Sequence, residues 1–209
     1  MVDAGIGRLL IASLHQGISD IAPTRLPFYE SWLTPPGLSG GKFGLAPLHA
    51  ALSFLRLEGR PAYDQVMARA GRYSAEWAFT ELPTIQRALV QRCPTALRAR
   101  AALWLSRRLV TQTFRGSRAR VRLRRGVGTL DIRASIFCEL RETAAWPMCV
   151  FYSAAIERFL QRFAIDASVQ VRECKAAGGR ACTMAVTIRG ARDPLASLAD
   201  AGAVETEAA

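Results

Sequence analysis

The stretch DASVQVRECKAAGGRACTMAVTIR, residues 166–189, has the residue pattern of a β-hairpin and carries two cysteines beside its turn. Apolar residues recur at every second position on both sides of Gly178 and Gly179, as in half-buried strands joined by a glycine turn. Cys174 ends the first strand and Cys182 lies near the start of the second. The hairpin is therefore expected to bring these two thiols together at one end of a sheet.

A helix and another hairpin precede this stretch. In WPMCVFYSAAIERFLQRFA, residues 146–164, one helical face carries Cys149, Tyr152, Ile156, Phe159, Leu160 and Phe163. Further upstream, SRARVRLRR (117–125) and TLDIRASIF (129–137) alternate with a period of two around the turn GVG (126–128). Four helical patterns fill residues 45–114, each ending near Gly, Pro or a change of period. The predicted class is α+β, with N-terminal helices and an antiparallel sheet from two hairpins with a helix between them.

The ends of the chain differ in composition from the middle. Residues 1–41 mix apolar side chains with Pro and Gly, which favours an N-terminal arm or irregular segment. Residues 193–209 are small and acidic, which is typical of a flexible tail. One domain is expected over residues 42–192.

The positive charge is unevenly distributed. The formal net charge is +11, and residues 82–130 contain twelve arginines and no Asp or Glu. Arg118, Arg120, Arg122 and Arg124 share one face of a predicted strand, where they could bind carboxylates or an acidic protein. A solvated sheet face and an arginine-rich genome are the alternative interpretations. Few aromatic residues lie among the arginines, which argues against nucleic acid as the partner.

The five cysteines pose a choice between metal binding and burial. The apolar run LLIAS (9–13) is too short for a secretory leader, and the apolar stretch 143–156 is shorter than the roughly 20 residues that span a bilayer. A cytoplasmic location is predicted, and a reducing compartment disfavours a disulfide. Cys149, Cys174 and Cys182 could bind zinc with Glu173 as fourth ligand, and Cys138 and Glu139 are reserve ligands. Free cysteines are also common core residues, so plain burial remains an alternative.

The segments CVFYSAAIERFL (149–160) and ASVQVRECKAAGGRACTMAV (167–186) resemble the C-terminal signature of the 4-vinyl-reductase (4VR) domain family. DIRASIF (131–137) and VMARAGRYSAEW (66–77) are similar to further segments of that family. The resemblance implies a TRAPP-like fold, frequently dimeric, with a structural zinc at Cys149, Cys174 and Cys182. Family members act as sensors of aromatic hydrocarbons or as free-standing proteins associated with bacteriochlorophyll synthesis. One departure is Val171, which stands where the family usually has its ligand Glu.

Binding of a hydrophobic or aromatic small molecule, with a tetrapyrrole intermediate as one candidate, is the predicted function. The candidate pocket residues are His49, Phe54, Trp77, Trp104, Phe137, Trp146 and Tyr152, each of which also suits ordinary core packing. No catalytic triad, metalloprotease motif or dinucleotide fingerprint is present, so binding is favoured over catalysis. An enzyme or enzyme subunit of vinyl reduction in chlorophyll synthesis, and an adaptor that binds through the arginines, are the alternatives.

Overall fold

The computed structural model describes residues 5–33, 44–124, 126–139 and 143–189. In these residues the helices are Arg8–Ile21 (α1), Leu26–Leu33 (α2), Leu45–Leu57 (α3), Arg60–Thr80 (α4), Thr84–Arg92 (α5), Thr95–Thr113 (α6) and Val150–Arg162 (α7). The strands are Arg118–Arg124 (β1), Val127–Arg133 (β2), Ala167–Glu173 (β3) and Cys182–Ile188 (β4). Short 3₁₀ turns cover Pro23–Arg25, Ile136–Cys138 and Lys175–Ala177. The predicted tail, residues 193–209, lies outside the described residues.

The four strands form one antiparallel sheet in the order β1-β2-β4-β3. β1 and β2 make the first predicted hairpin, β3 and β4 make the second, and pairing of β2 with β4 joins the two. Because successive side chains point to opposite faces, Leu130, Met184 and Val186 are fully buried on the helix side, whereas Arg120 and Arg122 are exposed. The predicted α+β architecture is confirmed.

The centre of the helical layer is the packing of α4 against α7 and α1. Gly71 of α4 lies so close to α7 that a Cβ at this position would come within 2.3 Å of the Phe151 carbonyl oxygen. At Gly17 of α1, a Cβ would lie 2.9 Å from the carbonyl oxygen of Val66. The two glycines therefore permit helix approaches that any larger residue would obstruct.

The N-terminal segment differs from the irregular arm expected from its sequence. Residues 8–21 form α1, whose Leu10 and Leu14 are buried in the core beside α4, and Tyr29 and Leu33 of α2 are also buried. Gly17 lies within α1 and Pro27 lies in the first turn of α2, so the Gly and Pro residues of this segment do not prevent helix formation. Residues 34–41, the remainder of the expected arm, lie outside the described residues.

The second strand ends earlier than its residue alternation predicts. β2 stops at Arg133, Ala134 adopts a positive φ of 52°, and residues Ile136–Cys138 form a 3₁₀ turn. This bend directs Phe137 and Cys138 into the core at the end of the sheet. Among the described helices, none is long and apolar enough to cross a membrane.

Candidate metal centre and ligand site

Four buried cysteines converge at one end of the sheet. Cys138 ends the 3₁₀ turn that follows β2, and Cys149 caps the N-terminus of α7. Cys174 follows β3, and Cys182 is the first residue of β4. Each cysteine therefore lies where an element begins or ends, in three segments far apart in the sequence.

The turn between β3 and β4 determines how Cys174 and Cys182 face each other. The backbone N–H groups of Ala177 and Gly179 both donate to the Cys174 carbonyl oxygen, each at 3.0 Å. Gly178 has φ +85°, a conformation that suits glycine because it has no side chain to clash with the backbone. The chain thus reverses tightly enough to place Cys182 beside Cys174.

The sulfur atoms are spaced as ligands of one metal ion. All four Sγ atoms lie within 4.8 Å of one another. Cys138 is the central contact, at 3.3 Å from Cys149, 3.4 Å from Cys174 and 3.4 Å from Cys182. A tetrahedral zinc with Zn–S bonds of about 2.3 Å separates its sulfur ligands by about 3.8 Å. The four thiols therefore fit a structural zinc site with four thiolate ligands after small adjustments, and none of them forms a disulfide.

Hydrogen bonds within the cluster shift the pKa values of its thiols in opposite directions. The pKa of Cys174 is lowered because Cys138 and Cys149 hydrogen-bond to its sulfur, and the Met148 N–H donates to the same atom at 3.3 Å. The pKa of Cys149 is raised well above its ordinary value because its hydrogen bonds to Cys138 and Cys174 favour the thiol and because it is buried. Hydrogen bonds from Cys138 and Cys149 lower the pKa of Cys182 as well, so the cluster favours the thiolate form that a metal ligand requires at Cys174 and Cys182.

Tyr63 links the cysteine cluster to the helical layer. Its side chain is fully buried on α4, and its hydroxyl donates to the Met148 carbonyl oxygen at 3.0 Å. Burial raises the pKa of Tyr63, and the neighbouring Cys149 and Cys138 raise it further. Tyr63 was not among the candidate residues, because a lone tyrosine in a helical pattern gives no signal of a contact so distant in sequence.

Glu173, the fourth ligand expected from the sequence, lies outside the sulfur cluster. Its side chain is exposed, and a register shift between Val171 and Glu173 interrupts the pairing of β3 with β4. Cys138, which the sequence offered as a reserve ligand, takes the fourth position in the cluster. Cys93 is separate from the group, half-exposed at the end of α5.

The predicted pocket residues fall into four different places. Phe137 and Tyr152 are fully buried, with ring centroids 5.1 Å apart, and they belong to the core next to the cysteines. Trp77 lines a surface groove beside α1, and Trp104 is 59% exposed on α6. Phe54, His49 and Trp146 lie on α3 and in the loop before α7, so the structure does not gather all seven residues into one site.

α2 and α3 carry a cluster of aromatic rings. Phe54 contacts Phe28 edge-to-face at 5.0 Å between centroids and lies 6.0 Å from the Trp32 ring. Phe28 also contacts Tyr29 at 5.2 Å. Phe28 and Phe54 remain 47% and 38% exposed, so the cluster is open on one side within the described part of the chain.

His49 faces the loop that precedes α7. It lies seven residues before Arg56 on the same helical face, and Arg56 donates to the Thr143 carbonyl oxygen at 3.4 Å. Burial lowers the pKa of His49, against an opposing effect of Glu139, so the imidazole is neutral near pH 7. Trp146 lies half-buried in the same loop.

Several buried polar atoms in these elements have no hydrogen-bond partner among the described residues. They are Tyr29 Oη, Trp32 Nε1, His49 Nε2 and Trp146 Nε1. Buried polar atoms in folded proteins are nearly always hydrogen-bonded, so each of these atoms calls for a partner outside the described residues, which water or a ligand could supply. Tyr29 and Trp32 were missed as site residues because their segment was expected to be an arm.

The predicted anion-binding arginines lie on the edge strand β1. Arg118, Arg120, Arg122 and Arg124 are exposed on the outer face of the sheet. Arg118 donates to the carbonyl oxygens of Arg115 and Ser117, and Asp131 lies opposite Arg120 on β2. No ion pair of Arg122 or Arg124 is found among the described residues, and both side chains are exposed.

Comparisons with known proteins give a weak structural likeness. No protein-family profile and no curated protein matches the sequence. Among solved structures, the chain is similar to the phenol-responsive sensory domain of the transcription activator PoxR with phenol. The TM-score is 0.48, the sequence identity is 17%, and the match covers 75% of this chain and 81% of that chain. A likeness of this degree establishes neither family nor function.

Proposed function

We propose that this chain is a zinc-stabilised binding domain, a sensor or carrier, for a small hydroxylated aromatic molecule. The observation that carries the proposal is the open aromatic cluster of Phe28, Trp32 and Phe54. Tyr29 and Trp32 of this cluster have unpartnered buried polar atoms, as do His49 on α3 and Trp146 in the loop before α7. Binding sites for small molecules combine apolar walls with a few polar groups that orient the ligand. α2, α3 and the loop before α7 supply both.

The polar atoms define the chemistry of the ligand. A neutral His49 accepts a hydrogen bond from a hydroxyl group, and the indole N–H groups of Trp32 and Trp146 donate to an oxygen. The rings of Phe28 and Phe54 offer edges and faces for an aromatic ligand. A phenol satisfies all three requirements, whereas an aliphatic hydrocarbon leaves the polar atoms without partners.

Zinc at Cys138, Cys149, Cys174 and Cys182 has a structural role in this proposal. Such an ion would stabilise the fold by binding ligands from three separate segments. Cys149 follows the loop that contains Trp146, so the same ion would fix that side of the site. The resemblance to the 4VR family is consistent with this arrangement and is itself part of the proposal.

A tetrapyrrole intermediate is the second candidate ligand. The unpartnered Nε2 of His49 is an atom type that ligates a metalloporphyrin, and the exposed edge of the aromatic cluster is open to a larger ring. The neutral state of His49 favours such ligation, because only the unprotonated nitrogen can bind a metal.

The test is ligand binding by the purified full chain, with zinc content measured on the same sample. Phenol and zinc protoporphyrin are titrated separately, and binding is followed by tryptophan fluorescence and calorimetry. Two variants, His49→Ala and Trp146→Phe, each remove one polar atom of the site. Trp104→Phe is the matched control, because Trp104 is exposed on α6 and is not part of the site.

We expect phenol to bind and its affinity to fall about tenfold in each site variant, since one buried hydrogen bond to a ligand contributes about 1.4 kcal/mol. Trp104→Phe should bind like the unaltered chain. Porphyrin binding with a histidine-dependent absorption shift would identify the tetrapyrrole instead. Absence of binding by both ligands to zinc-loaded protein, or equal loss in all three variants, would contradict the proposed site.

A further inference from the structure

The outer edge of β1 is unpaired in the described part of the chain. β1 is the first strand in the order β1-β2-β4-β3, so only its β2 side is hydrogen-bonded to another strand. The described part of the N-terminal segment pairs with residues 113–115 through Gly5, Ile6 and Gly7, and none of its described residues pairs with β1. An edge strand exposes a row of backbone N–H and C=O groups that can pair with an added strand.

A groove of about 930 Å³ runs beside this edge. Val121 and Leu123, on the inner side of β1, line it together with Trp104 and Arg100 of α6. Arg122, Arg124 and Val127, from the outer side of the hairpin, line it as well. The groove therefore extends to both faces of β1. Its side next to the inner face is mainly apolar, and its side next to the outer face is basic.

The two sides of the groove match the two faces of an added strand. Side chains of a strand alternate between opposite faces, so a neighbour of β1 would present every second residue to Val121, Leu123 and Trp104. The residues between them would lie beside Arg122 and Arg124. The complementary sequence alternates aliphatic and acidic residues.

We infer that the free edge of β1 and its groove bind an extended acidic segment of another protein, which joins the sheet as a fifth strand. Charge complementarity supports this partner: residues 82–130 contain twelve arginines and no acidic residue, and Arg122 and Arg124 are exposed without an ion-pair partner among the described residues. Backbone pairing supplies affinity, and the arginines select carboxylates by bidentate hydrogen bonds.

Charge disfavours a second copy of this chain as the partner. Two β1 strands that paired edge to edge would bring arginines opposite arginines, and like charges in facing positions destabilise a sheet. The aliphatic side of the groove disfavours a nucleic acid, because single strands bind on successive aromatic rings and Trp104 is the single aromatic residue in this lining.

The test uses the full chain and dye-labelled peptides of about ten residues, the length of a long strand. The acidic probe alternates Glu and Val, and a second probe alternates Lys and Val. A third is the acidic peptide with N-methyl groups on alternate residues, which removes backbone donors and keeps the charge. Binding is followed by fluorescence anisotropy and by the emission of Trp104, with single-stranded oligothymidine as a competitor.

Arg122→Glu with Arg124→Glu is the test variant, and Arg92→Glu with Arg172→Glu is the control. All four side chains are exposed, and both pairs of changes alter the net charge equally, but Arg92 lies on α5 and Arg172 lies on the opposite edge strand. Thermal unfolding of both variants verifies that they fold.

We expect the acidic peptide to bind, and the test variant to bind it about tenfold or more weakly, because like charges replace complementary ones. The control variant should bind as the unaltered chain does, and the Lys peptide should not bind. Three results would each overturn the inference. The first is that the N-methylated peptide binds as tightly as the acidic peptide, and the second is that both variants bind the acidic peptide equally weakly. The third is that oligothymidine displaces the labelled peptide fully at a lower concentration than unlabelled acidic peptide does.

Discussion

Cys138 provides the fourth sulfur of the cluster from a 3₁₀ turn that the bend after β2 creates. Its Sγ is within 3.4 Å of three other sulfur atoms, whereas Cys93 lies apart and donates to the Leu89 carbonyl oxygen of its own helix. Free cysteines with such different surroundings should differ in metal affinity. The comparison of these two residues is therefore a direct test of the cluster.

Replacement of Cys138 by serine should reduce the zinc content from about one ion per chain, because a neutral hydroxyl is a much poorer zinc ligand than a thiolate. The apparent melting temperature should fall with it. Cys93→Ser should leave both values unchanged. Metal analysis by mass spectrometry and calorimetry make the measurement, and retention of stoichiometric zinc in the Cys138 variant would remove Cys138 from the ligand set.

His49 should make the stability of the protein depend on pH. Burial lowers its pKa in the folded state below the ordinary value of 6.5, although Glu139 opposes the shift. As the pH falls below about 6.5, the unfolded chain therefore takes up a proton that the folded chain does not, and the free energy of unfolding decreases. The stabilising contribution of His49 is fully present above pH 6.5, where the imidazole is neutral in both the folded and the unfolded chain.

Urea unfolding at a series of pH values from about 7.5 to about 5 would measure this effect. His49→Gln removes the titrating group, so the unaltered chain should lose stability relative to this variant on acidification. The difference between the two chains isolates His49 from the titration of carboxyl groups and thiols. Parallel pH profiles would show that the imidazole is as well solvated in the folded chain as in the unfolded chain.

At the level of the elements, the contact between α4 and α7 depends on the absence of a side chain at Gly71. The same two helices hold buried aromatic residues of the core, with Phe79 of α4 edge-to-face on Phe159 of α7 at 6.3 Å. α4 also carries Tyr63, which binds the Met148 carbonyl oxygen just before α7. Any increase in the spacing of the helices would disturb all of these contacts.

Gly71→Ala should destabilise the protein by about 1–3 kcal/mol, because the added methyl group would press against the Phe151 carbonyl oxygen. This value is the net change in the free energy of unfolding, because the steric cost outweighs the gain of about 1 kcal/mol in helix propensity that alanine brings. Gln65→Ala, an exposed change on the same helix, should alter stability by no more than about 0.5 kcal/mol. Chemical unfolding of the two variants gives both values, and a neutral Gly71→Ala would show that the helices can separate freely.

Across the molecule as a whole, the cysteine cluster joins segments that lie apart in the sequence. Cys138 and Cys182 are 44 residues apart, and Cys149 and Cys174 are 25 residues apart. A metal ion bound by all four cysteines would cross-link these segments in the folded chain. The helix α1, which packs on α4, contributes no residue to the cluster.

If the cluster binds zinc as proposed, removal of zinc by a chelator should loosen the segments around the cysteines more than the packing of α1 on α4. Hydrogen exchange should accelerate in residues 135–139, 143–149 and 174–182, and the packing of α1 on α4 should remain protected. The free energy of unfolding should fall by about 3 kcal/mol or more relative to protein in excess zinc. Uniform exchange with and without chelator would argue that the thiols form an ordinary buried core.

The arrangement of helices and strands was predictable from the sequence, because each depends on contacts between near neighbours. Period-two alternation located β1, β3 and β4, and the period of 3.6 located α3 to α7, to within a few residues. The end of β2 was less predictable, since the bend at Ala134 interrupts an alternation that continues in the sequence. α1 was missed because Gly and Pro residues around it suggested irregular structure.

The fold class, the two hairpins, the approach of Cys174 to Cys182 across a turn and the excess of arginine on one strand all follow from the order of the residues alone. The packed fold was needed to show that Cys138 joins the cluster instead of Glu173 and that Tyr63 supports it. It was also needed to show that Phe137 and Tyr152 are buried in the core while Trp104 is exposed on α6. The difference is one of range, because alternation and turns depend on residues a few positions apart, whereas a metal or ligand site depends on how whole elements pack against each other.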